Sequence, residues 1–326
     1  MRLVLSILLL LVFAPGWAGE PQLPLPRPDL RIRAAGWVPQ GGWPARIGAL
    51  EPVGAIELSS PDPAFGGFSA LVLAGGQATM LSDGGYTLSI MIRGGRVRRT
   101  HVALLRDGPR EGWSRDDRDT ESLTRDPSTG RWWVGYENAN AVWRYTRDFH
   151  HAQAHAAPAA MRDWNSNGGA ETLLRLADGR FLVIAETVPR RRSIRPALVF
   201  DGDPTFRATR VTRLAYRPPA GFSPTDAAQL PGGDVLILNR RFRPPLRFAA
   251  RIVRVPLSAL AAGKVISGAV VADFPDSLIG ENMEGIAVTR EAGATMVWIV
   301  TDNDMTWWRK TILAKYRLRQ SPIQGG

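Results

Sequence analysis

One pattern recurs five times along the chain, and no other feature limits the fold as tightly. Each copy opens on a polar or acidic residue, followed by a small residue and an aliphatic run. A second aliphatic run follows about 15 residues later and ends on another polar residue. The openings fall at Ser69, Glu121, Glu171, Asp226 and Glu284, in steps of 52, 50, 55 and 58. The second polar positions are Asp83, Glu137, Glu186, Arg240 and Asp302. A period of 40 to 60 residues built from short strands is the arithmetic of a β-propeller.

Turn signals separate the paired runs: Asp126 to Gly130, Asp178-Gly179 and Pro231-Gly232-Gly233. Third strands are expected at Leu88–Ile92, Val142–Tyr145, Ala197–Phe200, Arg251–Val255 and Thr311–Leu318, and fourth strands near Val97–Leu105 and Thr209–Ala215. The last copy has no fourth strand after it, while Val53–Leu58 reads as a strand with no copy of its own. Pairing that strand with the last blade closes the ring and leaves no open edge. The expectation is an all-β propeller of five four-stranded blades over residues 50–318. A sixth blade follows only if Leu30–Val38 belongs to one. No stretch reads as a convincing amphipathic helix, and the nearest, Ala152–Arg162, is short and alanine-rich.

In a propeller the same position of every repeat faces the same ring around the channel. Ser69, Glu121, Glu171, Asp226 and Glu284 then form one ring, and Asp83, Glu137, Glu186, Arg240 and Asp302 a second. Carboxylates that converge on one axis need a cation, shared protons or arginine partners. Hard cations such as Ca²⁺ select carboxylate oxygen, and a proton-sharing pair can act as acid and base. The same residues can equally bond the backbone of a neighbouring blade and do no chemistry.

The formal charge is +11, and all but three of the 41 basic residues are arginine. Two arginine clusters follow second-strand ends: Arg190, Arg191, Arg192 and Arg195, then Arg240, Arg241, Arg243 and Arg247. Guanidinium suits bidentate phosphate or carboxylate recognition, although a solvated basic loop has the same composition. A small anionic substrate is the expected partner, with no nucleic acid, no stable membrane insertion and a monomeric chain. His101, His150, His151 and His155 lack zinc-like spacing, and Gly-x-Ser-x-Gly is absent. Trp132, Trp133, Trp307 and Trp308 read as blade packing.

Arg2, the apolar run Leu3–Phe13 and Gly16-Trp17-Ala18 have the layout of a signal peptide cleaved after Ala18. The expected location is therefore periplasmic or secreted. Residues 19–49 read as an extended proline-rich leader and 319–326 as a tail. Cysteine is absent, so the core alone carries the stability.

The segments Gly66–Leu71, Asp119–Leu123, Gly168–Glu186, Asp226–Phe242 and Asn282–Val288 resemble the phytase-like family, also called "esterase-like activity of phytase". The resemblance spans about Leu50 to Leu318. It implies a β-propeller, hydrolysis of phosphate or other esters, and by analogy with calcium-dependent propeller phytases a bound Ca²⁺. On that reading Glu121, Glu171 and Glu284 are catalytic. Asp83, Glu137, Glu186 and Asp302 hold metal, and Arg240, Arg241, Asp226 and Ser69 bind substrate. Asp226 and Arg240 leave the fourth repeat without a glutamate. A carboxylic ester or lactone hydrolase and a ligand- or protein-binding propeller are the alternatives.

Overall fold

The computed structural model describes residues 23–110, 114–166, 168–186, 193–261 and 263–319. The proposed signal peptide, Arg190, Arg191 and Arg192, and the tail beyond 319 lie outside those residues. The chain enters through β1 (Arg33–Trp37) and β2 (Leu50–Ser59) and then builds four blades in order. The first is β3 (Phe68–Ala74), β4 (Gln77–Ser82), β5 (Tyr86–Arg93) and β6 (Arg96–Leu104). The second is β7 (Thr120–Arg125), β8 (Trp132–Tyr136), β9 (Ala141–Tyr145) and β10 (Ala152–Ala156). The third is β11 (Ala170–Arg175), β12 (Phe181–Ala185), β13 (Arg195–Phe200) and β14 (Val211–Tyr216). The fourth is β15 (Ser223–Gln229), β16 (Val235–Arg243), β17 (Arg247–Val255) and β19 (Ala269–Phe274). A two-residue strand, β18 (Val265–Ile266), adds to β14 in parallel.

The fifth blade joins both parts of the chain. β20 (Asn282–Glu291), β21 (Ala294–Asp302) and β22 (Thr311–Leu318) are followed in space by β2, with Ile56 opposite Leu313. The N-terminal strand therefore closes the ring as the repeat arithmetic requires. β1 pairs outside β2, so Leu30–Val38 extends the fifth blade and founds no sixth. This also folds part of the segment read as an extended leader: Leu30 is buried between the fifth and first blades. Ala152–Ala156 is a strand, because its residues alternate between half-buried and exposed at period two.

The core is five apolar wedges, one between each pair of neighbouring blades. Every second strand is sandwiched, so its two faces feed two wedges. In β16, Leu236 and Leu238 pack toward the fifth blade while Val235 and Ile237 pack toward the third. In β12, Leu182 and Ile184 face the fourth blade, and Phe181 and Val183 the second. This double burial is why those strands read as continuous apolar runs. Trp132 and Trp133 split the same way, whereas Trp307 and Trp308 are exposed and pack no blade.

Candidate active site

Every inner strand carries a β-bulge one or two residues inside its start. The ladder skips Ser69, Glu121, Glu171, Thr225 and Glu284. A bulge releases one residue from the pleat and re-aims its side chain. Ser69, Glu121, Glu171 and Glu284 thereby line a cavity of about 590 Å³ at the channel mouth. The fourth member of the ring is Thr225, which corrects the alignment on Asp226. Asp226 pairs with Leu238 and occupies the column of Ala70, Ser122, Thr172 and Gly285. Its carboxylate accepts the N–H groups of Ala227 and Ile286, both at 2.8 Å, and so fastens the fourth blade to the fifth. It does not line the mouth.

Asp83, Glu137, Glu186, Arg240 and Asp302 follow the last paired residue, or the equivalent position, of each second strand, and all five line the cavity. Gly67 makes the first of them fit. It sits at φ +63°, and a Cβ there would stand 2.1 Å from the Asp83 carboxylate. Among the described residues, nine carboxyl side chains and one guanidinium line the mouth: the acids already named on the two rings, with Asp119 and Asp304, against Arg240.

The acids are not all ionised together. Glu121 and Glu171 are pushed well above the ordinary glutamate range, first by burial and then by neighbouring carboxylates. Glu137 is raised to about 8, by burial and by Asp119. Hydrogen bonds from Glu171 and from the backbone N–H of Gly168 only partly offset this. Glu284 is raised by burial to about 7, less than its neighbours, because Arg240 pulls it down. Asp302 is raised by burial, Asp83 and Asp304. Asp119, Glu121 and Glu137 each bring a carboxylate oxygen within 4.8 Å of the other two. A cluster of hard oxygen donors with an excess of acid fits a cation such as Ca²⁺.

The basic residues take other positions than expected. Arg240 bridges Glu284 (Nε to Oε1, 2.9 Å) and Glu186 (Nη2 to Oε1, 3.1 Å), so it serves as the counter-ion of the ring. Arg241 lies over the Phe222 ring at 4.5 Å and does not line the cavity. Arg195 donates to the Glu186 carbonyl. The Ser69 hydroxyl donates to the carbonyl of Thr120 at 2.8 Å, which ties the first blade to the second.

Sequence reading passed over Asp119, Asn138, Ser166, Phe248, Asn282 and Asp304, which also line the mouth. Two of them left a signal. Asp119 stands two residues before Glu121 and Asp304 two after Asp302, so each extends a ring position along the chain. Asp119 is held by Asn138, whose Nδ2 donates to it at 2.8 Å. Asp304 is held by Arg309 at 2.9 Å.

The sequence matches the family described as "Phytase-like: Esterase-like activity of phytase" over residues 63–305. The chain belongs to that family. A search of curated proteins finds no match. Solved structures similar in fold include RS223-Beta-xylosidase, at TM-score 0.47 and 11% identity, covering 80% of this chain and 94% of that one. Glutaminyl cyclase of Myxococcus xanthus is similar at TM-score 0.45 and 10% identity, covering 78% and 92%. The Cps50 (Swd1) β-propeller domain of Myceliophteria thermophila is similar at 0.40 and 9%, covering 84% and 95%. The match covers the phytase-like chain from just before β3 to the loop after β21, and so includes both rings.

Proposed function

We propose that this phytase-like propeller is a hydrolase of phosphate monoesters that works at the channel mouth with a bound divalent cation. The observation that carries the reading is the charge of the mouth: nine carboxyl groups around one already-paired arginine. Alone, such a mouth repels an anionic ester; Asp119, Glu121 and Glu137 would hold a cation that offers it local positive charge. A bound Ca²⁺ supplies positive charge for an anionic oxygen and acidifies a coordinated water.

The remaining chemistry belongs to the chain. Glu171 is buried and its proton is held well above the ordinary glutamate range, which suits a donor to a leaving oxygen. It is hydrogen-bonded to Glu137, so the two can share a proton during turnover. Glu284, at about 7, is poised to exchange a proton near neutrality, and Arg240 fixes its orientation. Asp83, from the first blade, and Asp302, from the fifth, form a further acidic pair across the junction of those blades.

The test is hydrolysis of p-nitrophenyl phosphate and p-nitrophenyl acetate by the full chain, each with calcium and with chelator. Calcium-dependent release from the phosphate alone is the expected result. Release from the acetate alone assigns the site to carboxylic esters. Release from neither, with any divalent cation, overturns the hydrolase reading and leaves a binding propeller.

A further inference from the structure

Two elements that furnish the mouth also carry a ridge of solvent-facing apolar side chains. The β16–β17 hairpin supplies Arg240 and Phe248 to the cavity, and its tip exposes Phe242 and Leu246. The connection from β21 to β22 supplies Asp304, and it exposes Trp307 and Trp308. Arg309 rivets the two together although its own side chain is only 7% exposed. It pairs with Asp304 at 2.9 Å, lies over Phe248 at 4.7 Å and donates to the Leu246 carbonyl at 3.4 Å. The ridge is thus one built unit.

Its shape restricts what can cover it. Trp307 is 91% exposed and meets little besides the edge of Trp308, 5.6 Å away between centroids. Among the described residues, no protein wall stands beside it to form a pocket. A side chain that protrudes so far is dried only by something that surrounds it, as a lipid headgroup layer does. A flat protein face covers one side. Tryptophan, with an apolar body and one N–H, is suited to that layer. Arg243 and Arg247 are exposed at the same hairpin tip, and Arg243 reaches Asp276 at 3.7 Å. Apolar protrusions beside arginines are the composition of a surface that settles on anionic lipid.

We propose that this ridge docks the protein on an anionic membrane surface. Trp307, Trp308, Leu246 and Phe242 enter the headgroup layer, and Arg243 and Arg247 meet lipid phosphates. The inference stands independently of hydrolysis, since none of these six side chains lines the cavity.

The experiment is co-sedimentation of the full chain with phosphatidylcholine vesicles with and without phosphatidylglycerol, read also by quenching of tryptophan emission with brominated lipid. The wild type is expected to bind the anionic vesicles. Trp307→Ala with Trp308→Ala should lower partitioning about tenfold or more and abolish the quenching. Arg243→Gln with Arg247→Gln should weaken binding to anionic vesicles alone. The apolar run Leu3–Phe13 is common to every variant, so the differences report the ridge. Equal binding by the tryptophan variant, or no binding by the wild type, overturns the proposal. So does a wild-type dimer that the same variant turns into a monomer, which would assign the ridge to a second copy.

Discussion

Arg240 holds buried Glu284 and half-buried Glu186 at once, and its removal is more damaging than the loss of a surface ion pair. Arg240→Ala leaves Glu186 and Glu284 without their counter-charge. The expected cost at neutral pH is about 3 kcal/mol, the low end for breaking a buried pair because the guanidinium keeps some solvent. Chemical unfolding with and without the substitution measures it. Glu171→Gln has the opposite profile. It removes one of several repelling acids, so melting should hold or rise, while turnover falls about 100-fold if Glu171 moves a proton. Nine of the ten ring positions were legible because repeat spacing counts strands. The fourth repeat was misread by one residue. A bulge is invisible to a period-two reading, and the acid at 226 stood out beside the threonine at 225.

The inner strands carry the precision of the site at the scale of elements. Gly285 follows the bulge of β20 where the fifth blade meets the first. A Cβ there would lie 2.8 Å from the backbone nitrogen of Leu71. Gly285→Ala should therefore push the blades apart at a cost of about 1–3 kcal/mol, measured by denaturant unfolding. Third strands and ring closure were readable, because Thr311–Leu318 has no fourth strand after it and Val53–Leu58 has no copy of its own, and the two pair. β10 and β19 were not. Outer strands bury little: Ala152–Ala156 alternates with alanine as its one apolar residue type, and Ala269–Phe274 carries weak alternation.

The whole molecule separates its charge: a chain of formal charge +11 gathers nine of its 30 acids at one mouth. This sets a pH dependence. Glu137 and Glu284 have folded-state values of about 8 and about 7, both raised from 4.5 chiefly by burial. The folded state then binds protons that the unfolded chain has released. The stability they contribute is complete below about pH 4.5 and is lost as pH rises through about 7 to 8. Where both titrate, each contributes a slope of about 1.4 kcal/mol per pH unit. Chelated protein should accordingly melt lower at pH 8.5 than at pH 5.5, as a calorimetric pH series would record. On the proposed reading, a cation bound at the mouth would replace those protons. The most direct measurement is the melting temperature of the chelator-treated full chain at pH 8 as calcium is added, alongside Glu121→Gln. A rise of about 5 °C or more at saturation, much reduced in the variant, is the predicted result. An unchanged melting temperature with calcium and every other divalent cation would contradict it and leave the carboxylates as blade-to-blade fastenings.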